Sequence, residues 1–120
     1  MKVFSKICSL LSTLIVVVLL FIAGALFVPK LLGMSEFVVV SGSMEPNIHV
    51  GAIVYDKKPE PENIKAGDVI TYQISADTMV THRVIEVDSA NRTVTTQGDA
   101  NKSPDGSPVA FDQIVGVYAF

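Results

Sequence analysis

The sequence predicts a mainly β domain behind one N-terminal transmembrane helix. Three observations carry this reading. Ile7 to Val28 is an uncharged run of 22 residues in which only Ser9, Ser12 and Thr13 have polar side chains. After it come short segments rich in β-branched residues, separated by Gly, Pro, Asn and Asp. Beyond the anchor no apolar 3.6-residue period lasts for three helical turns.

At 1.5 Å per residue the uncharged run makes a helix about 33 Å long, which matches a hydrocarbon core of roughly 30 Å. Residues 1–30 are therefore assigned to a cytoplasmic N-terminus and anchor, 31–36 to a membrane-exit linker, and 37–120 to the β-rich domain. Pro29 has no N–H to donate and is expected to end the helix. Leu31, Leu32 and Met34 then lie at the interface. A cleaved secretory signal is the alternative, with Lys2 and Lys6 as its charged start and Ala23-Gly24-Ala25 as a cleavage-like site. Signal cores run only about 7–15 residues, and this apolar run continues through Leu26-Phe27-Val28, so a retained anchor is favoured. Lys2, Lys6 and the α-amino group precede the span and only Lys30 closely follows it. The positive-inside bias puts the N-terminus in the cytoplasm and the domain outside.

Charge divides along the same line. Residues 1–36 carry Lys2, Lys6 and Lys30 against Glu36, a net +2, and residues 37–120 carry six basic and eleven acidic groups, a net −5, giving −3 in all. An acidic domain argues against nucleic acid as a partner, because phosphate binding needs a basic face. The single cysteine, Cys8, excludes an intramolecular disulfide, and no zinc-type Cys/His cluster is present. Cys8 reads as a small lipid-facing residue, with acylation near the cytoplasmic surface as the alternative.

Phe37-Val38-Val39-Val40 opens the domain as a strand that Ser41-Gly42-Ser43 breaks. Ala52 to Tyr55, Asp68 to Ile74, Val80 to Val87, Thr93 to Thr96 and Ile114 to Phe120 are five further strand signals. Pro59 and Pro61 keep the segment from Lys57 to Glu62 out of a sheet. Ser89 to Arg92 fits a hairpin turn, and Gly98 to Pro108 reads as loop. No internal repeat is visible.

Three constellations can carry chemistry. Ser43 lies just past a strand beside Gly42, where its hydroxyl can be exposed and neighbouring N–H groups can meet an oxyanion; an ordinary turn is the bland alternative. Strand alternation puts Val80, His82 and Val84 on one face, so His82 is an imidazole among apolar neighbours, able to stay neutral and accept a proton. A structural histidine is the competing reading. His49, six residues after Ser43, reads as a surface residue. Asp99, in Gly98-Asp99-Ala100-Asn101, and Asp105 are carboxylates either of which can orient a histidine or merely form Asx turns.

Ser41-Gly42-Ser43-Met44-Glu45-Pro46, Gly67-Asp68-Val69-Ile70, Thr81-His82-Arg83-Val84 and Gln97-Gly98-Asp99-Ala100-Asn101 occur in this order over residues 41–101. On these boxes the chain resembles the signal peptidase I family, specifically its endoplasmic-reticulum type, which also occurs in archaea and in Gram-positive bacteria as SipW-like enzymes. His82 stands where the other branch of the family has a lysine, so the resemblance is to the Ser-His branch. It implies a signal-peptidase-like β domain on the membrane surface of a prokaryotic plasma membrane, or of the endoplasmic reticulum in a eukaryote. It implies Ser43 as nucleophile and His82 as general base. Asp99 and Asp105 match two important acidic positions, Asp105 being the better candidate for the third triad member. Ser41 matches a serine that assists the oxyanion hole together with the Ser43 N–H, while Asp68 and Arg83 look structural. The implied substrates are secretory preproteins cut after small residues; no metal or cofactor is implied.

Many SipW-like proteins are longer, with a second hydrophobic segment near the C-terminus. This chain stops at Ala119-Phe120 within a strand signal, which reads either as a short form or as a domain whose last strands and tail are absent. Two other classes compete. One is a non-catalytic, membrane-tethered β module, either an inactive relative or a surface-interaction domain. The other is a self-cleaving repressor-type serine peptidase, which needs a lysine base and no membrane span. Lys57, Lys58 and Lys65 all lie in or near loops, outside the matching boxes.

Overall fold

The computed structural model describes residues 2–120, which divide into two compact units at Leu32/Gly33. The first is a single helix, α1 (Lys2–Leu31), of 30 residues, long and apolar enough to cross a membrane. From Leu14 to Val28 its side chains are apolar on every side, as contact with lipid would require. Pro29 does not stop it. The proline lies in the last turn, where Leu32 N–H still reaches the carbonyls of Val28 and Pro29 at 3.1 Å, so the chain keeps curling through Leu31.

The second unit is a seven-stranded antiparallel sheet, ordered β1-β2-β7-β3-β4-β5-β6. The strands are β1 (Ser35–Val38), β2 (Ile53–Lys57), β3 (Val69–Ser75), β4 (Thr78–Asp88), β5 (Thr93–Gln97), β6 (Val109–Ala110) and β7 (Ile114–Tyr118). The six expected strands are present with shifted ends. β1 starts earlier, because Ser35 and Glu36 pair with Asp56 and Tyr55. β6 was not expected: it is two residues inserted against Thr93 and Val94, too short to leave a period in the sequence. Single 3-10 turns at Pro61–Asn63 and Phe111–Gln113 are the only other helical segments described in this unit.

The central strand β3 separates two apolar clusters. Ile70 and Tyr72 point into a larger one with Val84, Val94, Val109, Phe111 and Ile114. Val69, on the opposite face, joins Met44, Ile48 and Val54 in a smaller one. Two-residue alternation on a strand buried on both sides produces this division. A register shift between Val84 and Glu86 swaps the faces of β4, so that Val87 rather than Glu86 packs on the larger cluster. The upstream half of β4, with Val80, His82 and Val84, keeps its expected common face.

Among the described residues, one carboxyl is buried without a hydrogen-bond partner. Asp56 on β2 is 1% exposed, and neither carboxylate oxygen has a hydrogen bond. A Cβ on Gly116 of β7 would lie 2.6 Å from Asp56 Cβ and 2.9 Å from its Oδ2, so glycine there makes room for the carboxyl. Burial pushes the Asp56 carboxyl above its ordinary value, and the nearby Thr71 hydroxyl, itself bonded to Thr81 at 2.9 Å, offsets only part of this. A raised folded value means the native state holds its proton to higher pH than the unfolded chain. Stability then falls as pH rises from the ordinary aspartate value to the raised one, and the penalty persists above it. Asp56→Asn is expected to raise the unfolding midpoint at pH 7 and to flatten its decline as pH rises above the ordinary aspartate value in thermal scans. An unchanged slope in Asp56→Asn would assign the pH dependence elsewhere.

Candidate active site

The loop between β1 and β2 carries Ser43, and its fixed point is the next residue. Met44 is 1% exposed in the smaller apolar cluster; truncating such a side chain costs about 2–5 kcal/mol. A helical turn follows, in which the N–H groups of Asn47 and Ile48 both reach Met44 O, and the Glu45–Pro46 peptide is cis. Ser43 is thereby left on the rim, half-buried, its Oγ 3.2 Å from Ser41 Oγ. Among the described residues, none accepts a hydrogen bond from the Ser43 N–H.

Opposite stands His82 on β4, 8% exposed. Its Nδ1 lies 2.6 Å from Asp105 Oδ2. The same oxygen accepts hydrogen bonds from Thr96 Oγ1 at 2.6 Å and from Tyr72 OH at 3.3 Å. Burial acts to raise the Asp105 carboxyl, but the bonds from Thr96 and His82 outweigh it and hold the group below its ordinary value. An ionised carboxylate only accepts, so Nδ1 is the donor to Asp105, and whenever the ring is neutral its lone pair lies on Nε2. Burial pushes the Tyr72 phenol above its ordinary value, which keeps it a donor near neutral pH.

Gly98 brings the two halves together. A Cβ built on it would lie 2.6 Å from Ser43 O and 3.1 Å from His82 Nε2, so only glycine lets the Ser43 backbone and the imidazole face each other there. Ala100 N–H donates to Ser43 O at 2.8 Å from the same turn. Ser41, Ser43 and His82 line one cleft of about 350 Å³, with Val38 to Val40 on one strand side and Met79 to Thr81 on the other. No direct hydrogen bond joins Ser43 Oγ to His82 Nε2; among the described residues the side-chain partner of Ser43 is Ser41.

Asp99 makes no hydrogen bond to His82, although the two are close enough to interact electrostatically. Its two oxygens take a forked bond from Arg83, Nε at 2.9 Å and Nη2 at 2.8 Å, and Asn47 Nδ2 adds a third contact at 2.8 Å. The guanidinium holds the Asp99 carboxyl below its ordinary value, with burial opposing. Arg83 also donates to Gly67 O at 2.8 Å. Asp99 thus ties β4 and the Gly67 turn to the Ser43 loop. Asp68 sits in that turn, accepting from Lys65 N–H at 3.1 Å. His49 is exposed and paired with Glu45 Oε2 at 2.5 Å. Sequence reasoning missed Tyr72, Thr96 and Asn47, which look like ordinary strand and turn residues. No group of three or more possible metal ligands occurs among the described residues.

No protein-family model matches the chain. The chain is 32% identical over 93 residues to Signal peptidase I W of Bacillus subtilis (strain 168), a match covering 75% of this chain and 49% of that protein. It is 35% identical over 72 residues to Signal peptidase complex catalytic subunit SEC11C of Homo sapiens and of Canis lupus familiaris, covering 57% of this chain and 38% of theirs. The chain thus spans half the length of these relatives or less. Together with the mainly antiparallel sheet and the apolar N-terminal helix, these similarities mean that the chain belongs to the signal peptidase I family, in its endoplasmic-reticulum-type branch.

Proposed function

We propose that this chain is a membrane-anchored serine endopeptidase that removes signal peptides from secreted preproteins, cutting after small residues. The observation that carries the reading is His82 held through Nδ1 by an ionised Asp105, at 2.6 Å, with Nε2 turned toward the Ser43 segment. Ser43 Oγ attacks the substrate carbonyl as His82 Nε2 takes its proton. Asp105 stabilises the imidazolium that results. The uncommitted Ser43 N–H and the Ser41 hydroxyl serve the oxyanion, and removing one such donor typically costs on the order of 10²–10³-fold in rate. His82 then protonates the leaving amine, and water releases the acyl group from Ser43. The Ser43 hydroxyl, bonded to Ser41 in the free protein, turns to His82 when substrate fills the cleft, as such contacts commonly tighten only in the complex.

An extended substrate has a strand edge to join. Thr78 to His82 pair with β3 on one side, while β5 pairs with β4 only from Arg83 onward. The edge of β4 along the cleft is therefore open for strand addition. The helix holds the domain on the membrane surface with its N-terminus in the cytoplasm, which confines enzyme and substrate to one surface and raises their effective concentration. A non-catalytic β module gives no account of the Asp105–His82 pair beside Ser43.

Ser43→Ala and His82→Ala are each expected to abolish processing of a co-expressed preprotein while the chain still accumulates in membranes. Normal processing by Ser43→Ala counts against the enzyme reading. For the carboxylates, Asp105→Asn is expected to lower kcat by about 10³–10⁴-fold, and Asp99→Asn mainly to lower the unfolding midpoint. The opposite ranking in kcat transfers the histidine-orienting role to Asp99. Gly98→Ala, whose new Cβ meets Ser43 O at 2.6 Å, is expected to lower kcat at least about tenfold, the cost of a misplaced reacting group; wild-type kcat in this variant would contradict the close approach.

A further inference from the structure

Asp105 lies between β5 and β6, in a stretch with no strand or helix to fix it. Thr96 supplies what the local backbone lacks. The Asp105 N–H donates to Thr96 O at 2.8 Å, and Thr96 Oγ1 donates to Asp105 Oδ2 at 2.6 Å. One residue therefore grips both the backbone and the carboxylate of the aspartate. Thr96 is itself anchored: it is fully buried on β5, opposite Val84 of β4. β4 also carries His82, so Asp105 is referred to the strand that bears its histidine.

The grip has something to resist. Asp105 also borders a second cavity, with Tyr72, Ser107 and Gln113, and its side chain is 23% exposed. An ionised carboxylate with one neutral donor removed gains hydration by turning toward that cavity. The Tyr72 hydroxyl, at 3.3 Å, is a longer contact and gives no hold on the backbone.

We propose that Thr96 is a positioning residue of the Ser43–His82–Asp105 relay, its hydroxyl and carbonyl together keeping Asp105 in line with His82 Nδ1. The proposal rests on the peptidase reading above. Thr96 does not line the substrate cleft, so its loss acts on the chemical step and not on substrate binding.

The test compares Thr96→Val, Thr96→Ala and Thr96→Ser in the purified full chain in detergent micelles, with a signal-peptide substrate and thermal unfolding as a control. Valine and alanine are expected to lower kcat about ten- to a hundredfold, the scale of a misplaced catalytic group, with KM changed by less than about twofold. Serine keeps the donor and is expected to restore kcat to within about threefold of wild type. Equal kcat in all three variants overturns the proposal, as does a rise in KM with kcat unchanged. If valine does not accumulate, the alanine–serine comparison decides. Loss of folded protein in both valine and alanine variants assigns Thr96 to the core and overturns the positioning role. An inactive, folded wild type sinks the peptidase reading and this proposal with it. An active wild type with unaffected Thr96→Val sinks this proposal alone.

Discussion

The hydrogen bond from His82 Nδ1 to Asp105 Oδ2 orders the site. It fixes which ring nitrogen donates to the carboxylate, and so which one holds the lone pair when the ring is neutral. Its partners come from separate places: a central strand for the histidine, an irregular segment for the aspartate, and two further strands for Tyr72 and Thr96. Such a network works only when every member is satisfied. Here one carboxylate oxygen takes three donors and stays ionised despite its burial.

The rest of the domain brings the Ser43 loop to the cleft that His82 also lines. Met44 sinks the loop into the smaller apolar cluster. Asp99, through Arg83 and Asn47, ties the loop to β4 from the other side. Gly98 removes the one side chain that would keep the two segments apart. Two carboxylates six positions apart in the sequence thus do different work: Asp105 is bonded to the imidazole, and Asp99 braces the backbone around it. Asp56 belongs to neither, and its buried, unbonded carboxyl costs stability at neutral pH.

Much of this was legible in the sequence, for identifiable reasons. The N-terminal apolar helix stood out because 22 consecutive residues carry no charge. The strands stood out because alternation and turn residues marked them, although their ends moved where polar residues on an edge strand gave no pattern, as at Ser35 and Glu36. Residue types alone left Ser43 and His82 as a turn and a core histidine; the four boxes and their order raised them to a pair. Asp99 and Asp105 were indistinguishable along the chain, because their difference is one of contact with Arg83 or His82. Thr96 and Tyr72 left no signal at all. Both are common strand residues, and what marks them is a long-range contact with a loop.

The tautomer of His82 is the most direct measure of the central interaction. With ¹⁵N-labelled histidine in the full chain in micelles, and His82 assigned through His49→Gln, nitrogen and proton resonances report which ring nitrogen is protonated. The account predicts a neutral ring protonated at Nδ1, with a strongly downfield Nδ1 proton that disappears in Asp105→Asn. A neutral ring protonated at Nε2, or a spectrum unchanged by Asp105→Asn, would contradict it.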